Sequence, residues 1–316
     1  MSAEAAFIAA LRGLATDPAA RGLLDDAAVL EVGGTRLVLT HDAIAEGIHY
    51  RSDDPPEDVA WKLVAVNLSD LAAKGARPVG VLLGYTLGEA EWDQAFLAGL
   101  GRALAAFDLS LLGGDTVKLA EGAPRTLSLT AIGEAAGPVP SRAGAAPGDD
   151  LWVSGTIGDA GAGLAILQGA LQGDETLIRR YRAPRPRLEA GQALAQLVSA
   201  MMDVSDGLLI DATRLGHASG VGLSLELDHI PLSDAYMAVR GDCREARLRA
   251  ATAGDDYELL FAAAPEHRHG ITEVADRLGL PLTRIGSAES GAGLALRDAV
   301  GRVPLPERLG WEHERG

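Results

Sequence analysis

Ten carboxylates stand in apolar or glycine-rich settings. Asp25 and Asp26 lie in RGLLDDAAVL, Asp42 ends VLTHD, Asp70 sits in VNLSDLAA and Asp115 follows LLGG. Asp203 and Asp206 make DVSDG, and Asp255, Asp256 and Glu258 make AGDDYEL. Surface carboxylates keep polar neighbours; these do not, and most stand where a strand or helix is expected to end. Carboxylates grouped in this way, with no paired histidines and one cysteine, suit hard oxygen-seeking cations such as Mg²⁺ rather than soft metals. Any one of them could be a helix cap or a turn residue. Taken together they point to binding of metal and phosphate.

Other motifs carry less. GGDT, residues 113–116, reads as a glycine turn whose backbone N–H groups could cradle phosphate, with Asp115 holding the accompanying cation. SGTIGDAGAGL, residues 154–164, lacks the Lys-Ser/Thr pair of a phosphate-binding P-loop and the glycine spacing of a dinucleotide fingerprint, so a structural strand-to-helix turn is at least as good a reading as a nucleotide loop. His49, in EGIHY, is a structural histidine or a ligand contact near Asp42. No Ser/His/Asp or Cys/His constellation is evident.

The elements that must position these groups follow from periodicity. A helix is expected from about Glu57 to Lys74, after Pro55-Pro56 and before Gly75 at its C-terminal cap. On it Asn67, Asp70 and Lys74 follow i, i+3, i+7 spacing and share one face, which could line a cleft. TRLVLTHD (35–42), VGVLLGYTL (79–87, read as buried), LSLLGG ahead of Asp115, and TLSLTAIGEA (126–135) read as strands, with a helix over 91–108. PVPSRAGAAPGDD, residues 138–150, is the best domain boundary. It divides the chain into 1–138 and 139–316. The pattern then restarts with a strand, a glycine turn and a helix, followed by helices near 187–200 and 208–218 and the strand GLSLELD. Strands and helices mix in both halves, so the class is α+β, two mixed α/β domains.

At 316 residues the chain can bury a core without disulfides, and Cys243 is its only cysteine. The N-terminal MSAEAAFIAALRGLATD has no basic leader and reads as a short amphipathic helix. No apolar run reaches the roughly 18 residues of a membrane span. A net charge of −16 disfavours nucleic-acid backbones. Cytoplasm is the expected setting, with no membrane or nucleic-acid partner.

VLTHDAIAEGIHY, AVNLSDLAAKGARP, LLGGDT, PSRAGAAPGD, DVSDGLLID and AGDDYELLF occur in that order. Together they resemble the thiamine-monophosphate kinase family of the aminoimidazole ribonucleotide synthetase-like ATP-binding superfamily, over nearly the whole chain from about residue 22. The resemblance implies transfer of a phosphoryl group from ATP to thiamine monophosphate, giving thiamine diphosphate. It implies a homodimer whose N-terminal sheets pair, a C-terminal sheet covered by helices, and a cleft between the domains.

The resemblance places several Mg²⁺ ions on Asp26, Thr40, His41 (through its carbonyl), Asp42, Asp70, Asp115, Asp203 and Asp206. Of these Asp42, Asp70, Asp115 and Asp206 are the expected catalytic carboxylates. ATP contacts fall on Gly114, Asp115, Arg142 and Ser205, and substrate contacts on His49, Asp255 and Trp311. The chain departs from the family in RGLLDD, which lacks a Gly-x-Gly run, in His41 before Asp42, and in AGDDYEL, where Asp255 stands for a glutamate. The alternatives are a different acceptor within the superfamily or a non-catalytic nucleotide-binding protein.

Overall fold

The computed structural model describes residues 3–120, 122–173 and 175–312. Its first half runs α1 (Ala3–Leu11), β1 (Ala28–Val32), β2 (Thr35–Ala45), α2 (Pro56–Ala73), β3 (Arg77–Leu87), α3 (Ala90–Ala106), β4 (Ser110–Lys118) and β5 (Thr126–Ala135). The second runs β6 (Asp150–Ser154), α4 (Asp159–Leu167), α5 (Glu175–Arg182), α6 (Leu188–Leu194), β7 (Ala200–Val204), α7 (Leu208–Ser219), β8 (Gly222–Glu226), α8 (Asp234–Arg240), α9 (Arg244–Thr252), β9 (Glu258–Ala263), α10 (Arg268–Leu278), β10 (Leu282–Glu289), β11 (Gly293–Asp298) and β12 (Gly301–Val303).

The strands form two mixed sheets, ordered β1-β2-β5-β3-β4 and β12-β11-β8-β10-β6-β9-β7. This is the α+β arrangement of two mixed α/β domains. In the first sheet α3 makes the crossover that lets β3 and β4 run parallel, and the other pairs are antiparallel. Along β5, Leu127, Leu129 and Ala131 are buried toward α2, and alternate residues face away. The second sheet is buried on both faces: β6, β7 and β9 are buried at every position. Leu151, Val153, Leu260 and Met202 pack on one side, Trp152, Leu259, Phe261 and Met201 on the other.

Helix α2 explains why an apolar helix carries polar groups. Thirteen of its eighteen residues are buried, because it lies between the two sheets rather than on one. Val59, Leu63, Val64 and Leu71 pack with the first sheet, while Ala72 and Ala73 join the core beside Phe261. Gly75 ends it with φ +61°, the left-handed conformation glycine adopts at low cost.

Three local expectations are corrected. GGDT is not a turn: Gly113 to Thr116 lie inside β4, after a bulge at Leu112. Gly114 is required there because a Cβ would stand 1.9 Å from the Leu83 carbonyl oxygen on β3. β3 is only half buried, with Val79, Leu82 and Leu87 exposed next to the edge strand. The helix expected near 187–200 ends at Leu194, and the chain then enters β7, whose residues complete the core beside β9. No helix among the described residues is long and apolar enough to cross a membrane.

Candidate active site

A cleft of about 1000 Å³ opens between the two sheets. Asp26, Asp42, His49, Asp70, Arg142, Asp203, Ser205, Asp206, Asp255 and Trp311 all line it. They arrive from the turn before β1, from β2, the loop after β2, α2, the segment after β5, the end of β7, the loop before β9 and the C-terminal segment. That volume is at the upper end for small-molecule sites, enough for a nucleotide and a second ligand.

At its floor, carboxylate oxygens of Asp26, Asp70 and Asp203 lie within 4.8 Å of one another. Burial pushes Asp203 up to about 8, and the Asp26 charge adds to this. Burial and the charges of Asp42, Asp203 and Asp26 push Asp70 well above the usual carboxylate range. Burial raises Asp42 to about 6. Asp26 goes the other way: burial would raise it, but Lys74 and Arg142 outweigh that and hold it low. An all-oxygen donor set that crowded is poorly matched to itself and well matched to a divalent hard cation.

The shell around these oxygens is specific. Thr40, 5% exposed, donates a short hydrogen bond to Asp70. Ser69 donates to Asp203 at 2.6 Å. Asp25 accepts from Lys74 Nζ at 2.5 Å and Arg21 Nη1 at 2.6 Å, and burial notwithstanding these cations hold it at about 2. Asp25 is thereby committed to the protein, and Asp26 is the member of the pair that reaches the cleft.

Asn67 and Lys74 share the α2 face with Asp70 but are wholly buried and do not line the cleft. Asn67 instead accepts from the Asp42 N–H at 3.0 Å and donates to the Leu63 carbonyl, tying β2 to α2.

Asp211 was not among the expected residues. It is fully buried and accepts from the N–H groups of Ser205 at 3.1 Å, Asp206 at 3.0 Å and Gly207 at 3.2 Å. Arg214 donates to Asp211 at 2.8 Å and to Asp206 at 2.5 Å. Asp211 therefore shapes the DVSDG loop; its signal in the sequence was an acid in the first turn of α7, right after that motif.

The AGDDYEL carboxylates separate. Asp255 lines the cleft. Asp256 accepts from the N–H groups of Gly158 and Ala160 and caps α4, so SGTIGDAGAGL is a strand-to-helix turn, and its Ala160, Gly161 and Leu164 also line the cleft. Glu258 is buried with Arg187 and Ser154.

His49 Nδ1 accepts the Ala45 N–H at 3.0 Å, so its neutral ring carries the proton on Nε2. Arg142 pairs closely with Asp26. Trp311 is 52% exposed, and its backbone N–H donates to the Asp206 carbonyl at 2.9 Å.

Two expected residues and one side chain lie elsewhere. Gly114 and Asp115 stand on the exposed edge strand β4 and do not line the cleft. Asp115 pairs with Gly84 and Gly84 with Ser128, on the sheet face turned away from α2; Asp42 pairs with Leu129, on the buried face. Three strand spacings separate them, roughly 14 Å. The His41 ring also faces outward, with Nδ1 2.8 Å from the Thr130 hydroxyl.

The fold and the acidic cleft define an AIR synthase related protein: the N-terminal domain of that family matches residues 24–135 and its C-terminal domain residues 146–299. The thiamine-monophosphate kinase of Caulobacter vibrioides is 40% identical over 306 residues, 94% of this chain and 86% of that one. The crystal structure of the thiamine-monophosphate kinase from Stenotrophomonas maltophilia has a TM-score of 0.78 and 39% identity, covering 91% of this chain and 93% of the other. AaThiL complexed with AMPPCP and TMP has a TM-score of 0.84 at 30% identity, covering 97% and 96%. The chain belongs to the thiamine-monophosphate kinase family.

Proposed function

We propose that this chain transfers the γ-phosphoryl group of ATP to thiamine monophosphate, giving thiamine diphosphate and ADP, with Mg²⁺ held by the cleft carboxylates. The observation that carries this reading is the convergence of Asp26, Asp70 and Asp203 from three separate elements on one floor within 4.8 Å. The donor set fits Mg²⁺: it is all oxygen, and its raised carboxyls hold protons that a cation displaces. Asp42 and Asp206 line the same cleft and extend that set.

The acceptor is itself a phosphate, with a second pKa near ~6, so it needs no general base. The difficulty is bringing two polyanions together in a cleft of low dielectric. Bound Mg²⁺ would supply positive charge to the phosphates and stabilise an in-line transfer. The chain's own part is positioning: carboxylates fix the charges, Arg142 adds a guanidinium beside Asp26, His49 presents Nε2–H, and the Trp311 ring offers a face for a cationic heterocycle.

A homodimer through the first sheet belongs to the same proposal. β4 exposes Leu111, Leu112 and Val117, and Asp115 is out of reach of its own cleft. A second copy whose β4 meets this sheet would bring Gly114 and Asp115 to the nucleotide. The division into 1–138 and 139–316 is supported by the family matches, which stop at 135 and resume at 146. The lone, exposed Cys243 fits the cytoplasmic setting expected from the sequence.

The test is ADP release from Mg·ATP with and without thiamine monophosphate, with EDTA as control. Release that needs both acceptor and metal, with thiamine diphosphate as product, supports the reading. Release with no thiamine diphosphate formed rejects it in favour of another acceptor.

A further inference from the structure

Lys62 is 2% exposed, lies on α2 and does not line the cleft, yet its ammonium meets two of the three expected substrate contacts, His49 and Asp255. Nζ donates to the His49 carbonyl at 2.9 Å and to Asp255 Oδ2 at 3.0 Å. It also sits 4.0 Å from the centroid of the Tyr181 ring on α5. Two hydrogen bonds and a π face use all three N–H directions of the ammonium. One buried cation thus joins α2, the loop after β2, the loop before β9 and α5.

Asp255 needs such a support. Its φ is +71° and that of Tyr257 is +50°, both left-handed conformations that side chains avoid. The Asp255 N–H donates to the Ser205 carbonyl at 2.8 Å, and Tyr257 donates its hydroxyl to Asp255 Oδ1 at 3.1 Å. With Lys62 on Oδ2, each carboxylate oxygen has a fixed donor, so the group's remaining lone pairs point in set directions. The ion pair also offsets the charge of Asp255 itself.

We propose that Lys62 is a positioning residue for the acceptor substrate: it holds Asp255 and the His49 segment in one frame and cancels the Asp255 charge, so that Asp255 acts as a directed hydrogen-bond acceptor rather than as a counter-charge. The inference rests on transfer to thiamine monophosphate and deepens it. The alternative, a bare counter-ion for a cationic heterocycle, makes the opposite forecast, since removing the ammonium would then strengthen attraction of a cation.

Lys62→Met keeps the volume of the stem and removes the charge. The KM for thiamine monophosphate is expected to rise roughly ten- to a hundredfold, with the KM for ATP unchanged within about twofold. Because Lys62 acts through Asp255, the double variant with Asp255→Asn should cost less than the product of the two single effects. Tyr181→Leu keeps the ammonium and removes its π face; a smaller rise in the same KM alone is expected, and it serves if Lys62→Met does not fold. A lowered or unchanged KM for thiamine monophosphate, an equal rise for ATP, or strictly multiplicative double-variant effects would overturn the assignment. Wild-type protein that forms no thiamine diphosphate sinks the underlying reading; wild-type turnover with an unaltered KM in the variants sinks only the role of Lys62.

Discussion

Ser69 and Asp203 meet across the seam between the two sheets, the hydroxyl donating to the carboxylate at 2.6 Å. Ser69 comes from α2 and Asp203 from the end of β7, and both are buried. The next residue on α2, Asp70, lies with Asp203 in the group of oxygens that could hold a metal. The site is therefore built on two rigid elements pressed together, and charge changes there should affect chemistry far more than folding. Asp70→Asn is expected to lower kcat by about a hundredfold or more. The metal-free variant should melt no lower than wild type, because the substitution removes a carboxylate crowded by Asp42, Asp203 and Asp26. Steady-state kinetics and a melting curve in EDTA check both; near-wild-type turnover would remove Asp70 from the mechanism.

The raised carboxyls give Mg²⁺ binding a pH dependence of definite sign. Asp203 at about 8 and Asp42 at about 6 hold protons in the folded state at pH values where the unfolded chain, near 3.8, has lost them. The folded state then binds more protons, so the stability of the metal-free protein falls as pH rises from 3.8 toward about 8. Mg²⁺ must displace those protons. Affinity should rise between pH 6 and 8.5, with protons released on binding. Calorimetry in two buffers of different ionisation enthalpy measures that release, and a pH-independent affinity would contradict it.

Much of this site was legible because its carboxylates sit in settings no surface favours. The apolar context of Asp70 and the DVSDG and AGDDYEL motifs pointed to residues that the fold brings to one cleft. Sequence alone could not sort partners. Asp25 and Asp26 look alike until Lys74 folds between them, Arg21 onto the first and Arg142 onto the second. Composition and spacing did not sort Asp255 from Asp256 either; only the family resemblance singled out Asp255, which lines the cleft while Asp256 caps α4. GGDT failed as a turn because the need for glycine comes from Leu83 on the neighbouring strand, a tertiary contact without a local signature. The helix read to 200 overran because short apolar runs suit a buried helix and a buried strand equally.

Asp211 offers a test of loop shape separate from charge. Asp211→Ala leaves the N–H groups of Ser205, Asp206 and Gly207 without their acceptor, and Arg214 with one partner fewer. A loss of about 2–4 kcal/mol in unfolding free energy is expected, together with weaker ATP binding, because Ser205 and Asp206 lose their frame. Denaturant unfolding and nucleotide titration read the two effects. Unchanged ATP affinity in a destabilised variant would confine Asp211 to folding.

The position of Asp115 allows a sharper experiment on assembly. It lies on the outer face of the first sheet, three strands from Asp42, so within one chain it has no route to the cleft. If a second copy supplies it, Asp70→Asn and Asp115→Asn are each inactive alone but complement each other. In a mixed dimer one cleft combines the intact Asp70 of one chain with the intact Asp115 of the other. Equal co-expression should restore about a quarter of wild-type activity, since half the dimers are mixed and each has one complete cleft of two. If Asp115 served its own chain, every cleft in the mixed dimer would lack one carboxylate and no activity would return. Gly114→Ala gives the structural counterpart: its Cβ cannot fit 1.9 Å from the Leu83 oxygen, so β4 should detach and the protein elute as a monomer. A dimeric, active Gly114→Ala variant would show that this edge is not where two copies meet.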